Sequence, residues 1–88
     1  MRLRGDLTLR KIGNEYMIVE PGKDMVDLSK VYSLNKTAAF LWNELQGRDF
    51  SEDDVAEILI EEYGLTPRTA YIDGTKMLQH FKAENLIR

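Results

Sequence analysis

Residues 31–42 read VYSLNKTAAFLW. Val31 to Leu34 carry a strand pattern, Lys36 to Trp42 a helix pattern, and only Asn35 stands between them. A chain that passes from strand to helix without a loop holds the helix beside the sheet from its first turn. Asn35 supplies the local means, because its side-chain oxygen can accept the Ala38 N–H and cap the helix.

Upstream of this junction the pattern is that of strands. Residues 7–12 form a short run that stops at Gly13-Asn14, a turn pair of the length a tight hairpin needs. Residues 15–20 follow, rich in Tyr, Ile and Val, which favour strands. Pro21-Gly22 interrupts the chain, and a third strand is expected over 25–34. There Val26, Leu28, Tyr32 and Leu34 share one face by period two, and Asp27, Ser29, Val31 and Ser33 the other. Lys30 breaks the apolar lane, either snorkelling at the rim or resetting the register through a bulge.

Downstream the pattern is that of three helices. The first is expected over 36–46, with Ala38, Leu41, Trp42 and Leu45 on one stripe and Gly47 past its end. The second is expected over 51–63. Ser51 and Asp54 stand in capping-box positions, Val55, Ile58, Leu59 and Tyr63 form the apolar face, and Gly64 stops the helix. The third is expected over 67–84, opened by the cap residue Thr66 and by Pro67 at the first helical position. Its apolar face runs through Ala70, Gly74, Met77, Leu78 and Phe81. Gly74 costs the helix about 1 kcal/mol relative to alanine, which points to a close approach by a bulky neighbour such as Trp42. The fold class is therefore α+β: an N-terminal three-stranded antiparallel sheet (1–34), then a three-helix bundle (35–88), in one domain of 88 residues.

Composition excludes several function classes. There is no cysteine, so neither disulfides nor thiolate ligands are available. His80 is the only histidine, and a typical zinc site would need three further ligands; it reads as a surface residue near Met77 and Glu84. No catalytic constellation, metal site or cofactor motif is present, so the chain is not expected to be an enzyme. No apolar run approaches the ~20 residues that cross a bilayer, and the expected location is the cytoplasm.

The net charge of −3 is unevenly spread. Residues 51–65 hold six acids and no base, whereas 66–88 hold four bases and two acids. Glu52, Asp53 and Asp54 suit a helix N-terminus, and Glu57, Glu61 and Glu62 a solvated face. Three strands with three helices also invite a winged-helix reading, as a nucleic-acid-binding or transcriptional regulator. Phosphate contact dominates nucleic-acid affinity. The acidic second helix would repel the backbone it has to approach, and Arg68, Lys76, Lys82 and Arg88 are too dispersed to form a basic patch.

Leu34-Asn35 and the alanines after it, Trp42, Leu45-Gln46-Gly47, Val55, Ile58, Tyr63, Asp73, Met77-Leu78 and Leu86-Ile87 form an ordered set that resembles the PqqD family. These are small proteins of pyrroloquinoline quinone biosynthesis and their relatives, the RiPP recognition elements. The resemblance covers nearly the whole chain. Two departures are Gly74, where a larger apolar residue is usual, and Asn85, where glycine commonly precedes the Leu-Ile end. The resemblance implies a winged-helix-like fold and a peptide chaperone. Such a protein binds the leader segment of a ribosomally made precursor peptide and presents it to a modifying enzyme, often a radical-SAM maturase. It also implies that the leader adds as an extra strand to strand 3 and lies against helix 3.

An unpaired strand edge is a ready template for such a strand, and equally for a second copy, which leaves a homodimer open. The peptide backbone is expected to pair near Leu28, Ser29, Lys30, Val31 and Tyr32. On helix 3, Tyr71, Thr75, Leu78 and Lys82 follow the spacing i, i+4, i+7, i+11. They are expected to form the shoulder that borders the groove, with Lys82 meeting an acidic residue of the leader.

Overall fold

A computed structural model of the chain describes residues 1–19 and 32–88. The element order is β1 (Thr8–Ile12), β2 (Glu15–Val19), β3 (Tyr32–Leu34), α1 (Lys36–Leu45), α2 (Glu52–Tyr63) and α3 (Pro67–Ala83). The first part of the expected third strand, residues 25–31, lies outside the described residues. The helices begin and end within a residue of their expected bounds.

The sheet is antiparallel in the order β1-β2-β3. Gly13-Asn14 joins β1 to β2 as a two-residue loop closed by the Ile12–Glu15 pair. Gly13 takes φ +64° as the first of the two loop residues, a conformation that costs glycine nothing and lets the hairpin follow the twist of its strands. Tyr16 pairs with Leu34, Met17 with Ser33 and Ile18 with Tyr32. Ile18 is buried under the helices, Tyr32 and Leu34 are half-buried, and Ser33 is exposed. The sheet therefore turns one face to the core, as period two requires.

The caps form where the sequence places them. The Ala38 N–H donates to Asn35 Oδ1 at 2.8 Å. The Asp54 N–H donates to Ser51 Oγ and the Ser51 N–H to Asp54 Oδ2, a reciprocal capping box. The Thr69 N–H donates to Thr66 Oγ1 at the start of α3.

The helical core is built from Leu41, Trp42 and Leu45 of α1, Val55 and Leu59 of α2, and Ala70, Leu78 and Phe81 of α3. Tyr63, expected on the buried face of α2, is exposed at its end and meets the Phe40 ring edge-on. Gly74 is buried against α2 rather than against Trp42. A Cβ at this position would lie 2.8 Å from Val55 Cγ1 and 3.5 Å from Leu59 Cδ1. The missing side chain is thus what allows α2 and α3 to approach, and close packing accounts for this glycine.

One feature lacks any periodic signal in the sequence. Residues 2–4 run antiparallel to 86–88 through an isolated Leu3–Ile87 bridge, with Arg4 N–H donating to the Leu86 carbonyl and Arg88 N–H to the Arg2 carbonyl. Leu3 and Leu86 are buried by this pairing. The Arg4 guanidinium binds the Asp6 carboxylate and the Asn85 carbonyl. Its hydrogen bond to Asp6 holds that carboxyl below its ordinary pKa.

Candidate functional site

Strand β3 is bonded to β2 on one side only, and among the described residues no strand covers its other edge. In a strand the N–H and C=O groups of alternate residues point to opposite sides. Among the described residues, the outward main-chain groups of β3 therefore have no strand partner. Helix α3 stands across from it.

Two adjoining hollows fill the space between them. One, of ≈ 200 Å³, is lined by Tyr32, Ser33 and Leu34 from the strand and by His80, Phe81 and Glu84 from the α3 end, with Leu86. The other, of ≈ 300 Å³, is lined by Ser33, Leu34, Asn35 and Ala38, with Lys76, Met77, His80 and Phe81 opposite. Ser33, Leu34, His80 and Phe81 belong to both, so the two form one cleft. The first hollow joins Tyr32 with Glu84 and the second Asn35 with Lys76, an order in which β3 and the α3 wall run in opposite directions. A larger hollow of ≈ 530 Å³ lies between Lys11, Asn14 and Glu15 and the Ser33–Lys36 stretch. No residue of α2 or α3 lines it, and of α1 only Lys36 does.

The junction at Asn35 makes the cleft a fixed feature. Its cap starts α1 one residue after β3 ends, and Ala38 of that first turn lies at the cleft floor. The wall is equally fixed. Phe81 is 1% exposed and meets Trp42 edge to face, with ring centroids 5.9 Å apart. An open main-chain edge with an apolar floor and a helix wall is suited to holding an extended peptide. Among the described residues, no group of three His, Asp or Glu side chains comes together that could hold a metal ion.

Of the expected strand positions, Tyr32 lines the cleft; Leu28, Ser29, Lys30 and Val31 lie outside the described residues. The expected α3 stripe lies on the other shoulder of the helix. Leu78 is 2% exposed and belongs to the core. Tyr71 and Lys82 are exposed, and Thr75 is half-buried with its hydroxyl unbonded among the described residues. None of the four lines either hollow. On the helix side the two hollows are lined by Lys76, Met77, His80, Phe81 and Glu84. The two shoulders are related by symmetry about the buried line of Ala70, Gly74 and Phe81, so spacing alone does not tell them apart. The one available signal was that His80 joins Met77 and Glu84 on a single flank.

The family model described as coenzyme PQQ synthesis protein D (PqqD) matches residues 15–87. Two solved structures share the fold. One is TbiB1 in complex with the TbiA(beta) leader peptide, with 14% identity and a TM-score of 0.73 over 100% of this chain and 95% of that one. The other is lasso peptide synthetase B1 complexed with the leader peptide, with 25% identity and a TM-score of 0.66 over 98% of this chain and 93% of that one. No curated protein matches the chain.

Proposed function

Since the chain belongs to the PqqD family, we propose that it is a peptide-recognition module that takes the leader segment of a ribosomally made precursor as a further strand on β3. It then presents the precursor to a modifying enzyme, with a radical-SAM maturase as the first candidate. The observation that carries this reading is the β3 edge, uncovered among the described residues, sharing a cleft with the α3 wall. Main-chain bonds along the edge would supply affinity, and the hollows against Met77 and Phe81 would select side chains. The leader peptides held by the two solved relatives support it.

In this role the protein works as one module over residues 1–88, in the cytoplasm, with no reaction, metal or cofactor of its own. No helix among the described residues is long and apolar enough to cross a membrane. The same edge is where a second copy would pair, so a homodimer of that kind and a peptide complex would exclude each other. The nucleic-acid alternative is not favoured: α2 presents Asp53, Glu57, Glu61 and Glu62 to solvent, where phosphates would repel them.

The test is calorimetric titration with leader peptides from short precursor reading frames neighbouring the gene. Saturable binding of a leader, and none of the segment downstream of it in the same precursor, is expected. Failure of every neighbouring leader to bind would contradict the proposal.

A further inference from the structure

The wall of the cleft carries an ordered set of polar groups. Lys76 and His80 of α3 and Glu84 at its C-cap are the ionisable side chains from this helix that line the two hollows. They fall four residues apart on one flank. Four helical residues rise about 6 Å, and two strand residues span about 6.7 Å. A strand lying along α3 therefore brings alternate side chains, those on one face, past Lys76, His80 and Glu84 in turn. Positions p, p+2 and p+4 of the peptide face these three groups.

The direction of the peptide follows from the sheet. Strand β3 already pairs antiparallel with β2, and antiparallel addition is the commoner and slightly more stable choice. Because β3 and the α3 wall run in opposite directions, a peptide antiparallel to β3 runs parallel to α3. Its N-terminal part lies by Lys76 and its C-terminal part by Glu84.

We infer that the cleft selects a charge order in the leader: an acidic side chain at p, a hydrogen-bonding one at p+2, and a basic one at p+4, met by Lys76, His80 and Glu84 respectively. This rests on the peptide-recognition role proposed above and adds to it a register, a direction and three specificity-determining residues. Lys82, on the opposite shoulder, takes no part. Lys76 and His80 are exposed and Glu84 is half-buried, so each charge pair is screened, and selectivity should fade as salt rises.

The experiment is selection of a displayed library of random 12-residue peptides against the immobilised chain, against Lys76→Glu and Glu84→Lys, and against Met77→Asp. Lys76 is exposed and Glu84 half-buried, and circular dichroism is used to check that every variant is folded. Binders to the unaltered chain that are lost on Met77→Asp are cleft binders. They are expected to be enriched in Asp or Glu followed four positions later by Lys or Arg. Lys76→Glu should turn the first of these basic and Glu84→Lys the second acidic, each leaving the other unchanged. Reversing the acidic residue in a single selected peptide should weaken binding about fivefold at low salt. Cleft binders with no charge order, or with one that ignores both variants, overturn the inference while leaving the peptide-recognition role intact. Cleft binders with the basic residue first overturn the antiparallel direction and the inference with it. An absence of cleft binders overturns the role itself.

Discussion

The Trp42 and Phe81 rings meet edge to face at 5.9 Å, both almost wholly buried, and Phe81 at the same time lines both hollows of the cleft. The wall that would touch a peptide is thus part of the hydrophobic core, and α1 braces it from behind. Deleting a buried aromatic costs about 3–5 kcal/mol. Trp42→Ala is expected to lower the chemical denaturation midpoint by that equivalent. An unchanged midpoint would show that the ring is not a core anchor.

Gly74 makes a second prediction, because two effects of opposite sign act on it. Alanine there gains about 1 kcal/mol of helix propensity but would bring its Cβ against Val55 Cγ1, and overpacking costs about 1–3 kcal/mol. Gly74→Ala is expected to be neutral to destabilising by about 2 kcal/mol, the difference between these effects. In a Val55→Ala background the obstruction is gone, and the same change should stabilise. Measured as a double-mutant cycle, independent effects at 55 and 74 would refute the close approach.

The end of α3 supplies a third. Asn85 has φ +59°, the Asn85 N–H donates to the Lys82 carbonyl, and the Leu86 N–H donates to the Phe81 carbonyl at 2.9 Å. This is a Schellman ending, and the buried pair Phe81 and Leu86 makes its hydrophobic contact. Asparagine tolerates the left-handed region better than other non-glycine residues. This explains how a residue other than glycine can stand at this helix end. Asn85→Gly should be neutral or slightly stabilising, and Asn85→Val should cost about 1–2 kcal/mol. Thermal melts that rank the two the other way would contradict the assignment.

Much of this architecture was legible in the sequence, for identifiable reasons. Asn35, Ser51 and Thr66 cap their helices through local hydrogen bonds, which depend on neighbours three residues away. The stripe of Leu41, Trp42 and Leu45 follows from periodicity alone. Which shoulder of α3 shares the hollows with β3 was not legible, because Tyr71 and Lys82 flank the buried line as Met77 and His80 do. What breaks that symmetry is the side on which β3 lies, a tertiary relation with no trace in spacing. The pairing of residues 2–4 with 86–88 was hidden for a similar reason: two short segments far apart in sequence meet without a periodic pattern.

Charge gives a prediction about nucleic acid. The exposed acids of α2 oppose any phosphate backbone. A mobility-shift screen at low salt should show no tight, sequence-selective complex with duplex DNA. Such a complex, persisting at physiological salt, would revive a winged-helix role.

The cleft itself can be tested through one pair of substitutions. Met77 is half-buried at the wall, whereas Ile72 is exposed and lines neither hollow. Met77→Asp should weaken leader binding at least tenfold, about 1.4 kcal/mol, and Ile72→Asp should leave it nearly unchanged, both variants being folded by circular dichroism. Equal losses would detach binding from this wall.

The most direct measurement is a titration of isotope-labelled protein with a binding leader, followed by amide shifts. Binding in the β3–α3 cleft should give the largest shifts at 32–35 and at 76, 77, 80, 81 and 84, with new amide protection at the β3 edge. Shifts confined to α2 and the β1–β2 turn, sparing β3 and that flank of α3, would contradict it.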